Sequence, residues 1–188
     1  MKTISTTTLT LVETKLEDFL SSLKRKHILV DTNFLIDASR NQECFSFIIN
    51  SLKQNECALV AMDGVYHEFI CGRKSLEDYK KMINFYERII DSEIPFEKSI
   101  KENANTLTKV LLKRSAQISY TDILLLATLM KYHSNMYLLS KDKSDIPVFL
   151  FPIKAIIPID SGETNYFYSI YSFDQVSYEK ELEQLLKK

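Results

Sequence analysis

Glycine is nearly absent from this chain. There are three in 188 residues, Gly64, Gly72 and Gly162, and no two are close together. Phosphate-cradling loops of the Walker and dinucleotide types need clustered glycines so that backbone N–H groups can approach the phosphates, and both are excluded. Cysteine is equally sparse. Cys44, Cys57 and Cys71 form no C-x-x-C pair and no framework, which reads as reduced thiols in a cytoplasmic protein. Net charge is also lacking, because 24 Lys and Arg stand against 25 Asp and Glu. That excludes a chain-wide positive field for nucleic acid, so any such binding has to come from local patches or from metal ions. The longest apolar run, "ILLLATLM" at Ile123–Met130, is well short of the ~18 residues at which a membrane span becomes a candidate. The opening "MKTISTTTLTLVETKLEDFL" has no continuous apolar segment of the kind a secretory signal requires.

What is present is core material. Hydrophobic residues make up 45% and charged residues 26%, enough to bury a core and too apolar for a disordered chain. Leu9, Val12, Leu16, Leu20 and Leu23 recur at helical spacing and predict a helix from about Leu9 to Lys24. The preceding "TISTTT" reads as a strand or a loose end. "ILV" at Ile28–Val30 is the first strand, "CALVAM" at Cys57–Met62 the second and "MYLLS" at Met136–Ser140 the third, with "VFLF" and "AII" as shorter candidates. Between them lie helical stretches: a patch from Phe34 to Leu52, "DGVYHEFICGRK" with Asp63 as its N-cap and Gly72 as its stop, Leu76 to Ile90, and Ile100 to Leu111 after the break at Pro95. "ISYTDILLLATLMKYH" starts at a Ser/Thr/Asp cluster suited to a helix start, runs to about His133, and is apolar almost all round, so it should be buried. An aromatic stretch, "NYFYSIYSF", and a charged helix, "QVSYEKELEQLLKK", close the chain. Strands alternating with helices predict an α/β fold with a small, mainly parallel sheet.

Sheets of that kind place their ligand sites beyond the carboxyl ends of the strands. Acids recur there. Asp31 follows the first strand, Asp63 and Glu68 follow the second, Asp142 and Asp145 follow the third beside Ser140, and Asp122 opens the buried helix. Taken singly, Asp31 reads as a helix N-cap or turn residue, Asp122 as a cap, Glu68 as solvated and Asp142 as an exposed loop acid. Taken together, carboxylates gathered on one edge repel one another unless a cation lies among them. Hard oxygen ligands select Mg²⁺ or Mn²⁺ over zinc. Two such ions about 3.5–4 Å apart suit phosphodiester cleavage.

Other signals are weaker. "HEFIC" at His67–Cys71 is half of a zinc-protease H-E-x-x-H with Cys71 in place of the second His, and a partly buried helix position is the expectation for His67. Ser140 has no G-x-S-x-G elbow and is not a triad nucleophile. Basic clusters at Lys24-Arg25-Lys26, Arg73-Lys74, Lys80-Lys81, Lys113-Arg114 and Lys141/Lys143 read either as contacts to an RNA backbone or as solvated helix faces. Arg73, Lys74, Lys141 and Lys143 are retained as RNA-binding candidates, the last two because they flank Asp142. Tyr166, Phe167, Tyr168, Tyr171 and Phe173 could stack bases, seal a dimer or cover the edge of the core.

Four of these segments together resemble a known family. "LVDTNFLID" is similar to the opening of PIN domains, "VYHEF" to their second acidic motif, "YTDILLLATLMKY" to the third, and "YLLSKDKSDI" to the fourth, in the same order and over roughly Lys26 to Asp160. The resemblance implies a three-layer, helix-rich α/β/α sandwich and a Mg²⁺- or Mn²⁺-dependent ribonuclease. It implies Asp31, Glu68, Asp122 and Asp142 as the acidic, metal-binding set, supported by Thr32, Asn33 and Ser140. Asn33 is left either to act through water, to cap the next helix, or to do both. Asp145 would be a further ligand, although it comes one residue later than in the family pattern and the usual aromatic is replaced by Ile146-Pro147. "DTNFL" also resembles the start of haloacid dehalogenase-type phosphatases, but Asn33 stands where those have a second Asp. The family reading divides the chain into an N-terminal helical extension (1–26), a nuclease domain (27–160) and a C-terminal aromatic segment and helix (161–188) on the same domain. It implies RNA as substrate, an antitoxin protein as partner and, with the apolar tail, a homodimer. The alternative is a PIN fold with little or no catalysis that serves as an RNA- or protein-binding module.

Overall fold

The computed structural model describes residues 16–112, 118–162 and 164–187. The first stretch of the expected N-terminal helix, with Leu9 and Val12, the "TISTTT" segment and the Lys113-Arg114 cluster lie outside the described residues. Helix α1 covers 16–22, with Leu20 and Leu23 buried and Phe19 set edge-on against Tyr137.

The sheet starts with β1 (His27–Val30), which runs into α2 (Thr32–Arg40), α3 (Gln42–Gln54) and β2 (Ala58–Met62). Next come α4 (Asp63–Ile70), α5 (Leu76–Ile89), β3 (Ser92–Ile94), α6 (Lys98–Leu112), α7 (Tyr120–Lys131) and β4 (Met136–Ser140). The chain ends in a hairpin, β5 (Ile153–Asp160) and β6 (Asn165–Tyr171), and helix α8 (Gln175–Leu186). The strand order is β3-β2-β1-β4-β6-β5. β1 to β4 are mutually parallel, and β6 joins β4 and β5 antiparallel. The path steps outward from β1 to β2 to β3, then returns across the sheet to β4. Right-handed crossovers therefore put the intervening helices on opposite faces. The packing agrees, because α2 to α5 contact one another while α6 packs against α7 and α8. This is a three-layer α/β/α arrangement around a mainly parallel sheet. Among the described residues, no helix is long and apolar enough to cross a membrane.

The core follows from the strand sequences. Ile28, Leu29 and Val30 are buried, as are Leu59, Val60, Leu138 and Leu139, because central parallel strands are covered on both faces. On the α2–α3 side, Phe34, Phe45 and Tyr168 pack edge-to-face with ring centroids 5.4–5.6 Å apart. The aromatic segment is therefore mostly core. Tyr168 and Tyr171 are fully buried in β6, Tyr166 packs on Phe45, and Phe173 packs on Phe151 and Tyr178, which leaves Phe167 exposed.

Several expectations are corrected. "VFLF" is a turn, not a strand: the amides of Leu150 and Phe151 both donate to the Pro147 carbonyl, and its apolar residues Leu150 and Phe151 are buried. The "AII" segment lies within the longer β5. The short β3 carried no apolar signal because Ser92 and Glu93 are exposed at the sheet edge. Asp63 is the first helical residue of α4, not its cap, since the N-cap is Met62 with no side-chain bond. The helix ends at Ile70, and Gly72 at φ +76° turns the chain in the left-handed region that favours glycine. His67 is exposed on α4 with its ring edge against Tyr66.

Phe45→Ala should lower the free energy of unfolding by about 3–5 kcal/mol, the usual cost of emptying a buried aromatic site. Phe47, two residues along the same helix and 62% exposed, should tolerate the same change within about 0.5 kcal/mol. Denaturant unfolding of both variants measures the contrast, and equal losses would overturn the assignment of this helix face.

Candidate metal centre

The site begins where β1 stops. Val30 pairs with Leu139 in the parallel ladder, so the next residues of the two strands, Asp31 and Ser140, come opposite each other beyond its end. Ser140 donates its hydroxyl to Asp31 Oδ2 at 2.5 Å. The other carboxylate oxygen, Oδ1, accepts the Phe34 amide at 2.7 Å and makes Asp31 the N-cap of α2. One buried carboxylate thus ties β1, α2 and β4 together. The cap is Asp31, so Asn33 is not needed for that purpose. Asn33 lies exposed in the first turn of α2, where its carbonyl accepts from Tyr168 Oη at 3.3 Å.

β4 hands its chain to a tight turn. The Asp142 amide donates to Ser140 Oγ at 3.0 Å. Asp142 Oδ1 then accepts the amides of Ser144 and Asp145 at 3.1 and 3.3 Å, and the Ser144 hydroxyl at 3.1 Å. This side-chain-to-backbone turn curls the chain so that the first and fourth residues stand side by side. It explains how Asp145, one position late in sequence, still reaches the site. The Tyr171 hydroxyl donates to the Asp142 carbonyl at 2.8 Å and fixes the turn from β6.

Helix α7 brings the next acid. Ser119 caps it by accepting the Asp122 amide at 3.1 Å, and its hydroxyl donates back to Asp122 Oδ2 at 2.6 Å. Asp122 is therefore the third helical residue, tied to its N-cap through the Ser119 hydroxyl and favoured by the helix dipole. Glu68 projects from α4 and is exposed, but Oε2 accepts the buried Thr32 hydroxyl at 2.8 Å.

Asp122, Asp142 and Asp145 each offer a carboxylate oxygen within 4.8 Å of the other two. Asp31 and Glu68 lie outside this tightest group, yet their charges reach it: Asp122 acts on Asp31, and Glu68 acts on Asp122. Burial pushes the Asp31 carboxyl up from its ordinary 3.8 to about 6. Hydrogen bonds from Ser140 and the Phe34 amide, and the charge of Lys141, pull the other way, while Asp122 adds to the rise. Asp122 is also raised, first by burial and then by repulsion from Asp142, Asp145 and Glu68, against the hydrogen bond from Ser119. Among the described residues, no salt bridge reaches any of these five acids. Clustered all-oxygen donors with no ammonium or guanidinium partner fit a hard divalent cation of the Mg²⁺ or Mn²⁺ kind.

The basic candidates separate. Arg73, three residues past the end of α4, folds back on that helix, donates to the Phe69 carbonyl and stacks over the Phe69 ring at 5.4 Å, so its guanidinium closes α4. Lys141 turns away from Asp142 to pair with Asp37. Lys74 is exposed. Lys143 is exposed beside Asp142, with its ammonium 5.6 Å from the centre of the Phe167 ring. Of the other clusters, Lys24 and Arg25 pair with Glu56, and Lys81 pairs with Glu77. Sequence reasoning missed Asp37, and it singled out Tyr168, Tyr171 and the Ser119 helix start without their bonds to Asp37, Asp142 and Asp122. Asp37 did leave a signal, because it stands three residues after Phe34 on the apolar stripe of α2.

The raised acids make a signed prediction for the metal-free protein. A carboxyl whose pKa is higher folded than unfolded keeps a proton that the unfolded chain releases. Its contribution is full below pH ~4 and is lost as pH rises through about 6. In EDTA, stability should therefore fall between pH ~3.5 and ~7, with Asp31 accounting for about 3 kcal/mol of the decline. Asp31→Asn should flatten that slope. Chemical denaturation across this range checks it, and identical slopes in the two proteins would refute the assignment.

No family model and no curated protein matches this chain. Among solved structures, a chain from the crystal structure of VapBC2 from Rickettsia felis bound to a DNA fragment from their promoter is similar. The TM-score is 0.48 and the sequence identity 14%, over 54% of this chain and 78% of that one.

Proposed function

We propose that this chain is a Mg²⁺- or Mn²⁺-dependent nuclease that hydrolyses phosphodiester bonds of RNA. The observation that carries the reading is the convergence of Asp122, Asp142 and Asp145 oxygens within 4.8 Å, with Asp31 and Glu68 acting on the same group, at the carboxyl ends of parallel strands. The resemblance of four ordered motifs to PIN domains supports RNA as the substrate. It also supports a toxin-like role in the cytoplasm opposed by an antitoxin protein, and a homodimeric state.

In this reading Asp122, Asp142 and Asp145 hold the cation, and Asp31 and Glu68 complete the charge around it. When bound, the ion supplies Lewis-acid polarisation of the phosphoryl oxygen and a nucleophile at neutral pH. The Asp31 carboxylate, which burial disfavours, would be favoured by a divalent charge held nearby. Ser140 holds Asp31 and the Asp142 amide at once, so it sets the spacing between two strand ends. Thr32 orients Glu68. Lys143 and Phe167 lie at the rim beside Asp142, where an ammonium can meet a phosphate and an exposed ring can stack a base.

Purified protein should cleave mixed RNA in Mg²⁺ or Mn²⁺ and not in EDTA, with single-stranded DNA as the parallel substrate. Asp122→Asn and Asp142→Asn should each lower the rate by about 100-fold or more, since even residues that only orient a ligand cost 10–100-fold. Lys143→Ala combined with Phe167→Ala should weaken RNA binding several-fold and leave the melting temperature unchanged. EDTA-resistant cleavage, or full activity in both Asp variants, would reject the metal-nuclease reading. Tight RNA binding without metal-dependent cleavage would instead support a binding module.

A further inference from the structure

An ion pair between the buried Asp37 and the half-buried Lys141 sits beside the acidic site and takes no part in the chemistry described above. Asp37, on α2, is 7% exposed. Its Oδ2 accepts both the Lys141 ammonium and the Tyr168 hydroxyl, the latter at 2.7 Å. Tyr168 is fully buried in β6 and packs edge-to-face on Phe34. Lys141 lies between Ser140, which bonds Asp31, and Asp142, which lies in the acidic group. Three elements meet in this contact: α2, the turn after β4, and β6.

Such a pair is seldom a large source of stability, because the desolvation of Asp37 offsets much of the attraction and the exposed side of Lys141 is screened by water. What the pair does specify is a direction for one ammonium. Lys141 is close enough for its charge to act on Asp31. An ammonium that near to Asp31, and next in sequence to Asp142, is a natural internal counter-ion for the site, and a lysine on a flexible stem is well suited to the role. If it turned towards Asp142, it would occupy the position of a cation.

We propose that Asp37 and Tyr168 act as a holder that keeps the Lys141 ammonium out of the acidic cluster and so leaves Asp122, Asp142 and Asp145 open to a divalent ion. The inference rests on the metal-site reading above. Asp37 is a positioning residue that acts only through Lys141. This assigns Lys141 a role other than RNA contact, and it explains an acid placed on the buried stripe of α2.

The test is Mn²⁺ binding to the full chain without substrate, read from the free-ion signal in electron paramagnetic resonance or by calorimetry. Four proteins are compared: the wild type, Asp37→Asn, Lys141→Met and the double variant. Asp37→Asn should weaken Mn²⁺ binding by about tenfold or more, in the range typical of residues behind a metal ligand. Lys141→Met should bind at least as tightly as the wild type, and the double variant should recover to within about threefold of it. Recovery on adding a second change is not what general structural damage produces. If Asp37→Asn does not stay folded, Tyr168→Phe removes one bond of the holder and keeps the pair. It should show a smaller loss, again relieved by Lys141→Met. Unchanged binding in Asp37→Asn, or a double variant as weak as the single one, would overturn the proposal while leaving the metal site standing. A wild type that binds no Mn²⁺ would remove the metal-site reading itself.

Discussion

The buried carboxylate of Asp31 is the joint on which this structure depends. One oxygen starts α2 by accepting the Phe34 amide, and the other accepts the Ser140 hydroxyl at the end of the neighbouring strand. A carboxylate with both oxygens engaged can stay at a position that is 5% exposed, where an unbonded charge would be far too costly. Burial still dominates, as the raised pKa indicates. The fold therefore holds, at the end of its central strand, a group that a nearby cation would relieve.

The rest of the site is arranged around that joint by ordinary local devices. Ser140 passes the connection from Asp31 to the Asp142 amide. The Asp142 side chain then closes a turn that returns Asp145 to the same place. Ser119 and Asp122 satisfy each other at the start of α7. None of these contacts is unusual alone: each is a cap or a turn of the kind that Ser and Asp make throughout proteins. Their convergence is what makes them a candidate site. Parallel strands bring their carboxyl ends, and the helix starts beside them, to one edge of the sheet, so separate local caps become a single cluster of oxygens.

Much of the fold was legible in the sequence because the signals were periodic and strong. The strands read at Ile28–Val30, Cys57–Met62 and Met136–Ser140 and the all-round apolar helix α7 fall within a residue or two of where they occur. The failures share a cause. β3 is a short edge strand with little to bury, so it left no hydrophobic trace. "VFLF" is apolar because its turn is packed inside, and β propensity could not tell a buried turn from a strand. The aromatic run was open to three readings until its pairing with β4 put Tyr168 and Tyr171 in the core and left Phe167 outside. The grouping of Asp122, Asp142 and Asp145 follows from their places at strand and helix ends, which the sequence showed, while the partners of the lysines and of Arg73 were not legible. A long cationic side chain reaches several neighbours, and sequence does not say which carboxylate or carbonyl it will meet.

By itself, then, the sequence determined which residues were available for the chemistry: acids after strands, no glycine loop, no cysteine framework and no net positive charge. Only the tertiary structure decided how they are grouped. It placed Asp145 with Asp122 and Asp142, left Asp31 and Glu68 outside that closest set, and turned Lys141 towards Asp37. The reason is one of distance. Composition and periodicity act along the chain, but attraction and repulsion between charges depend on separations in space, and those are set by strand register, turn geometry and the burial of Tyr168 far along the sequence.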